Sequence, residues 1–217
     1  PAGLTLSGSN WSGLIINGSA NLVNFNEKGA QISFQVAAKG KLVISNGNIS
    51  GVNGASVVEG SFTADHLNYD KGVGGGIDSY SGTGSVNISN SSLHGSGRNT
   101  GDFFGMYNVK SISLSNSVMN GSHCAFHILS LQNISLKNDK IQDNSYGFMM
   151  YGSSRLGTKT ITNTSITNNS MGFDEGSSST RNGVITISHS YISGNGQDLA
   201  LYTGKVIVVA ALVKNPL

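Results

Sequence analysis

The stretch "LSNSVMNGSHCAF", from Leu114 to Phe126, decides the fold. It opens on an apolar residue, passes through polar residues centred on Asn116, and reaches a second apolar residue at Met119. Seven residues later comes Phe126. The same six-residue frame recurs as "ISNSSL" (Ile88 to Leu93), "LKNDKI" (Leu136 to Ile141), "ITNTSI" (Ile161 to Ile166) and "ISHSYI" (Ile187 to Ile192). Upstream, "ISNGNI" (Ile44 to Ile49) and "FTADHL" (Phe62 to Leu67) are read in the same frame. Frames start roughly 18 to 26 residues apart, the length of one solenoid turn. The offset of seven also joins Ile141 to Phe148, Ile166 to Phe173 and Ile192 to Leu199, whereas Leu93 reaches Phe104, and Leu67 reaches Ile77, through longer corners.

Short apolar runs, polar corners and no helical periodicity exclude a helical solenoid. They predict an all-β chain wound as a right-handed parallel β-helix, a solenoid of roughly eight or nine coils. Equivalent residues then stack about 4.8 Å apart, with Phe126, Phe148 and Phe173 as an internal aromatic column. The central Asn suits a left-handed bend and a ladder of side-chain amides. One domain is expected over 1–217, with N-terminal coils and a cap over 1–40, regular coils over 41–204, and a C-terminal strand or cap over 205–217.

Only 11% of the 217 residues are charged, and the net charge is +2. That balance offers no basic patch for nucleic acid. No apolar stretch approaches the roughly 20 residues of a membrane helix. The longest apolar run, "VIVVAALV" (Val206 to Val213), is strand-length and offers an edge for self-association. The one cysteine, Cys124, excludes a disulfide framework and metal sites of the multi-Cys type, and is expected as a small buried hydrophobe. Abundant Ser, Thr, Asn and Gly with little charge predict a secreted or cell-surface protein.

Over about residues 40 to 204, the repeat resembles the pectate-lyase-like parallel β-helix superfamily. The resemblance implies polysaccharide as the partner, and a polysaccharide lyase or glycoside hydrolase acting on an acidic glycan. The same superfamily contains adhesins, tailspikes and filament modules, so a non-catalytic surface module stays open beside it. The chain has neither the Gly-His-Gly and Arg-x-Lys of the polygalacturonases nor the Asp-Pro-His of the alginate epimerases.

Side chains alternate along a strand. If the Phe column points inward, the outward column reads Glu59, Asp78, Gly105, His127, Met149, Asp174, Ala200. Asp78, His127 and Asp174 are the candidate catalytic residues. The missing side chain at Gly105 leaves a gap between Asp78 and His127, two coils apart. Arg98, Asp102 and Tyr107, from the same coil and its long corner, would surround that gap. A lyase needs a base at the sugar and a cation on the uronate, and an inverting glycosidase needs two separated carboxyls. Tyr80, Tyr107, Tyr151 and Tyr202 share a strand position and would stack on sugar rings. Glu175 is expected in a bend after its strand, because an unpaired carboxylate in a core is costly. His123 and His127 read as a corner residue and a face residue. No cofactor or metal is assigned; Asp174, Glu175 and Asp198 form the one oxygen set considered for calcium.

Overall fold

Asn116 turns the chain. Its φ of 52° lies in the left-handed region, and Asn24, Asn46, His66, Asn90, Asn138, Asn163, His189 and Ala210 adopt the same conformation one coil apart. Asn tolerates this region because its short polar side chain bonds locally. Here the amides also bond along the stack. Asn116 Nδ2 donates to Asn90 Oδ1 (3.2 Å), Asn138 Nδ2 to Asn116 Oδ1 (2.8 Å) and Asn163 Nδ2 to Asn138 Oδ1 (2.8 Å). Where His66 takes the slot, Asp65 replaces the missing acceptor, receiving Asn90 Nδ2 at 2.7 Å.

The computed structural model describes residues 3–151, 157–175, 184–201 and 206–214. Among these there is no helix, and the strands wind into a parallel β-solenoid of about nine turns. One sheet of seventeen strands carries the Asn bend; a second, shorter sheet has nine strands. The short sheet runs through Leu14–Ile16, Phe34–Val36, Ser56–Val58, Ile77–Ser79, Phe104–Met106, Cys124–Ile128, Tyr146–Met150, Met171–Glu175 and Gln197–Ala200. Phe104, Phe126, Phe148 and Phe173 are in register and buried, with successive ring centroids 5.1, 4.7 and 5.1 Å apart. The predicted aromatic column is therefore present.

One frame was misplaced. Ile44 pairs with Ala64 and Ile49 with Tyr69, so the fourth coil reads "ADHLNY" (Ala64 to Tyr69) rather than "FTADHL". The cause is Leu67, which is buried although its column is polar further along. It pairs with Gly47, where a Cβ would crowd the Leu67 side chain. Tyr69 is the true second apolar residue, and its hydroxyl meets Ser56 Oγ at 3.0 Å and Gly76 O at 3.2 Å.

Past Leu67 the interior column turns polar, and each coil's side chain caps a backbone N–H of the preceding coil. Leu67 N donates to Ser91 Oγ (3.0 Å), Ser91 N to Ser117 Oγ (3.0 Å), Ser117 N to Asp139 Oδ1 (2.9 Å) and Thr164 N to Ser190 Oγ (3.1 Å). Asp139 is the one carboxylate in this run of hydroxyls, and burial raises its pKa to about 6, against the bonds from Ser117 and Lys137. Between about pH 4 and 6 the folded state then holds a proton the unfolded state has lost. Stability falls as pH rises through that window. Asp139→Thr restores the hydroxyl pattern, as Thr164 shows with its donation to Thr162 O at 3.0 Å. The variant is expected to gain about 1–3 kcal/mol at neutral pH and to flatten that slope, as read by urea unfolding at several pH values.

The last described coil, Val206–Val209 and Leu212–Val213, pairs with Ile185–Ser188 and Tyr191–Ser193. Ile207, Val208, Val209 and Leu212 are exposed there.

Candidate functional site

The outward column of the short sheet reads Val57, Asp78, Gly105, His127, Met149, Asp174, Ala200. Glu59 does not belong to it. Val57, two residues earlier, is the partner of Asp78. Glu59 instead accepts the Tyr80 N–H at 2.9 Å.

Gly105 leaves no gap. The Asp78 carboxylate leans over it and accepts the Gly105 N–H, and a Cβ built on Gly105 would collide with Asp78 Oδ1. Tyr80 Oη donates to Asp78 Oδ2 at 2.7 Å. Burial raises the Asp78 pKa and outweighs the Tyr80 bond, while Asp102 nearby adds to the rise.

Asp102 sits on the corner between Ser92–His94 and Phe104–Met106. Backbone bonds lay that corner along the next coil: His123 N donates to Gly101 O (3.1 Å) and Phe103 N to Cys124 O (2.8 Å). From below, the buried Lys71 Nζ donates to Gly74 O (2.9 Å), Thr100 O (2.7 Å) and Gly101 O (3.0 Å). Burial pushes Lys71 down to about 8, although Asp102 and Asp78 pull the other way. So pinned, Asp102 Oδ2 meets His127 Nδ1 at 2.6 Å, and Asp102 Oδ1 meets His123 Nδ1 at 3.2 Å. Burial would raise the Asp102 carboxyl, but its bonds with His127, Cys124 and His123 hold it at about 2. A carboxylate only accepts, so the Asp102 contact assigns the proton of neutral His127 to Nδ1. Nε2 is then the atom able to take a proton. The arrangement is an oriented imidazole beside a carboxyl, Asp78, whose pKa burial raises.

Tyr80 and Tyr107 stack beside this cluster, centroids 4.9 Å apart and planes 6° from parallel, with 51% and 37% of their surfaces exposed. The Tyr107 ring lies 6.1 Å from that of His127. Tyr151 occupies the same position two coils on, but its hydroxyl donates to Asp174 Oδ2 at 3.0 Å, and Asp174 is only 7% exposed. Met149 separates Asp174 from His127 in the column. Tyr202 lies outside the described residues. Asp78, Tyr80, Asp102, Tyr107 and His127 are thus brought together, and Tyr151 with Asp174 forms a second pair further along the same face.

Arg98 is not among them. Its guanidinium donates to Asp143 O (3.2 Å) and Asn168 O (2.7 Å) at a corner of later coils. Glu175 is not in a bend. It ends the strand Met171–Glu175, pairs with Met150 and is fully buried. The buried Lys159 lies within electrostatic reach of it. Lys159 shares a face with Ile161, two residues on in "KTIT", so an inward lysine was legible. The calcium set has no common face: Asp174 and Glu175 alternate, and Asp198 Oδ1 accepts Asn195 N (3.0 Å) and Nδ2 (2.7 Å). No family model, curated protein or solved structure matches the chain. The sequence reading gave His123 and Cys124 no functional role, yet Cys124 Sγ lies 3.4 Å from His123 Nδ1 and 3.8 Å from Met149 Sδ.

Proposed function

We propose that the protein is an extracellular, polysaccharide-handling β-helix protein that cleaves glycans on the outer face of the short sheet, in the manner of the pectate-lyase-like superfamily. The observation that carries this is the exposed Tyr80–Tyr107 stack set against Asp78 and the His127–Asp102 pair. Paired aromatic faces suit sugar rings, and an acid next to a base suits glycosidic cleavage. Asp78 serves as the acid, His127 as the base and Asp102 as the group that orients His127. Arg98 is engaged elsewhere and, among the described residues, supplies no guanidinium to neutralise a uronate at this cluster. That favours hydrolysis over elimination, on acidic or neutral glycans.

The test is reducing-sugar and unsaturated-end release across pectin, alginate and neutral polysaccharides. His127→Ala and Asp78→Asn should each lower kcat by about 100-fold or more. Tyr107→Ala should instead raise KM, by about 2- to 10-fold for a lost stacking contact. Full rate in the His127→Ala, Asp78→Asn double variant would refute the assignment. A second reading rests on the exposed Ile207, Val208, Val209 and Leu212: a non-catalytic surface module that self-associates through 206–213. An assembly that turns over no glycan and dissociates when 205–217 is removed would establish it instead.

A further inference from the structure

We propose that Asp102, His123 and Cys124 form a zinc site. Their ligand atoms, a carboxylate oxygen, an imidazole nitrogen and a sulfur, all lie within 4.8 Å of one another. The spacing is close to what zinc would impose. With Zn–N and Zn–O of about 2.0–2.1 Å, Zn–S of about 2.3 Å and tetrahedral angles, neighbouring N and O ligands sit about 3.3 Å apart, and N and S about 3.5 Å. The structure has Asp102 Oδ1 to His123 Nδ1 at 3.2 Å and Cys124 Sγ to His123 Nδ1 at 3.4 Å.

The triangle is also held in place. The residues on either side of Asp102 are bonded to the other two ligands: Gly101 O takes the His123 N–H and Phe103 N–H donates to Cys124 O. Lys71 fixes the same corner through Thr100 O and Gly101 O. His127, on Asp102 Oδ2 at 2.6 Å, supports the ligating carboxylate from behind, as outer-shell partners do in metal sites. The donor set selects the metal. A thiolate disfavours calcium and magnesium, and mixed N, O and S donors suit zinc. Three protein ligands leave the fourth position for water. On binding, Cys124 gives up its thiol proton to solvent and coordinates as thiolate.

This site shares Asp102 with the glycan-cleaving cluster but does not rest on that reading. The test titrates the metal-free full chain with Zn²⁺ against a chromophoric chelator, and with Co²⁺ under ultraviolet-visible absorption. One equivalent per chain is expected, with a thiolate-to-cobalt charge-transfer band. His123→Gln and Asp102→Asn should each weaken zinc binding at least about 10-fold, and Cys124→Ser should abolish the band. His66→Gln, at an exposed histidine paired with Asp65 at 2.8 Å, should change nothing. Circular dichroism checks that each variant is folded, and His123 is exposed enough to be replaced without opening the core. No stoichiometric binding, or binding unchanged in His123→Gln and Asp102→Asn, overturns the proposal. Glycan turnover by a chain that binds no zinc overturns it alone; zinc binding without turnover leaves it standing and removes only the hydrolase.

Discussion

Replacing Phe148 by alanine is expected to lower the unfolding free energy by about 3–5 kcal/mol. The ring is sandwiched between Phe126 and Phe173, at centroid distances of 4.7 and 5.1 Å, and is 1% exposed. Truncation leaves a void between two coils whose backbones are fixed by parallel pairing on both sides. Collapse into the void would have to break those ladders, so the site relaxes little, and the loss falls in the upper part of the range for large-to-small changes. Urea unfolding followed by circular dichroism measures it. Val73→Ala, at a side chain 76% exposed, serves as control and should fall within about 0.5 kcal/mol of the parent. Equal midpoints for the two variants would show that the aromatic column does not hold the coils together.

Glu175→Ala is expected to cost a similar amount, about 3–5 kcal/mol, for a different reason. Lys159 is buried, its Nζ has no hydrogen-bond acceptor among the described residues, and its surroundings include Ile134, Phe148, Met150 and Ile161. Burial lowers its pKa, and Glu175 opposes that fall. Removing the glutamate strands the ammonium in an apolar setting. Lys159→Met alone removes the ammonium and its attraction for the carboxylate. The double change Lys159→Met with Glu175→Leu removes both charges and should recover most of the stability, because apolar replacements of buried pairs are often neutral or better. A double-mutant cycle by urea unfolding gives the coupling. Strictly additive losses would show that the two groups do not compensate each other.

Most of the fold was legible because solenoid register is written in repeats. The Asn bends, the Phe column and the outward positions of Asp78, His127 and Asp174 all follow from one frame and strand alternation. The slip at "FTADHL" shows what a frame cannot convey. Leu67 fills space left by Gly47 in the neighbouring coil, and that exchange is visible only once coils are stacked. Glu175 misled for a related reason: its compensating charge, Lys159, comes from the other sheet of the same coil. The candidate site was half legible. The short-sheet column could be read by alternation, but Asp102 reaches His123 and His127 from a corner, and corners have no period. Arg98, on that same corner, faced elsewhere for the same reason.

The hydroxyl column also gives the molecule a direction. Each side chain caps an amide of the coil before it, from Leu67 N on Ser91 through Thr164 N on Ser190. No coil in this run is finished by its own residues; it is finished by the one translated next. On a ribosome, the nascent solenoid would always carry one incomplete turn at its growing end, with everything behind it sealed. Synthesis would then close the structure in the order in which it is made, like a zip drawn from the N-terminal side.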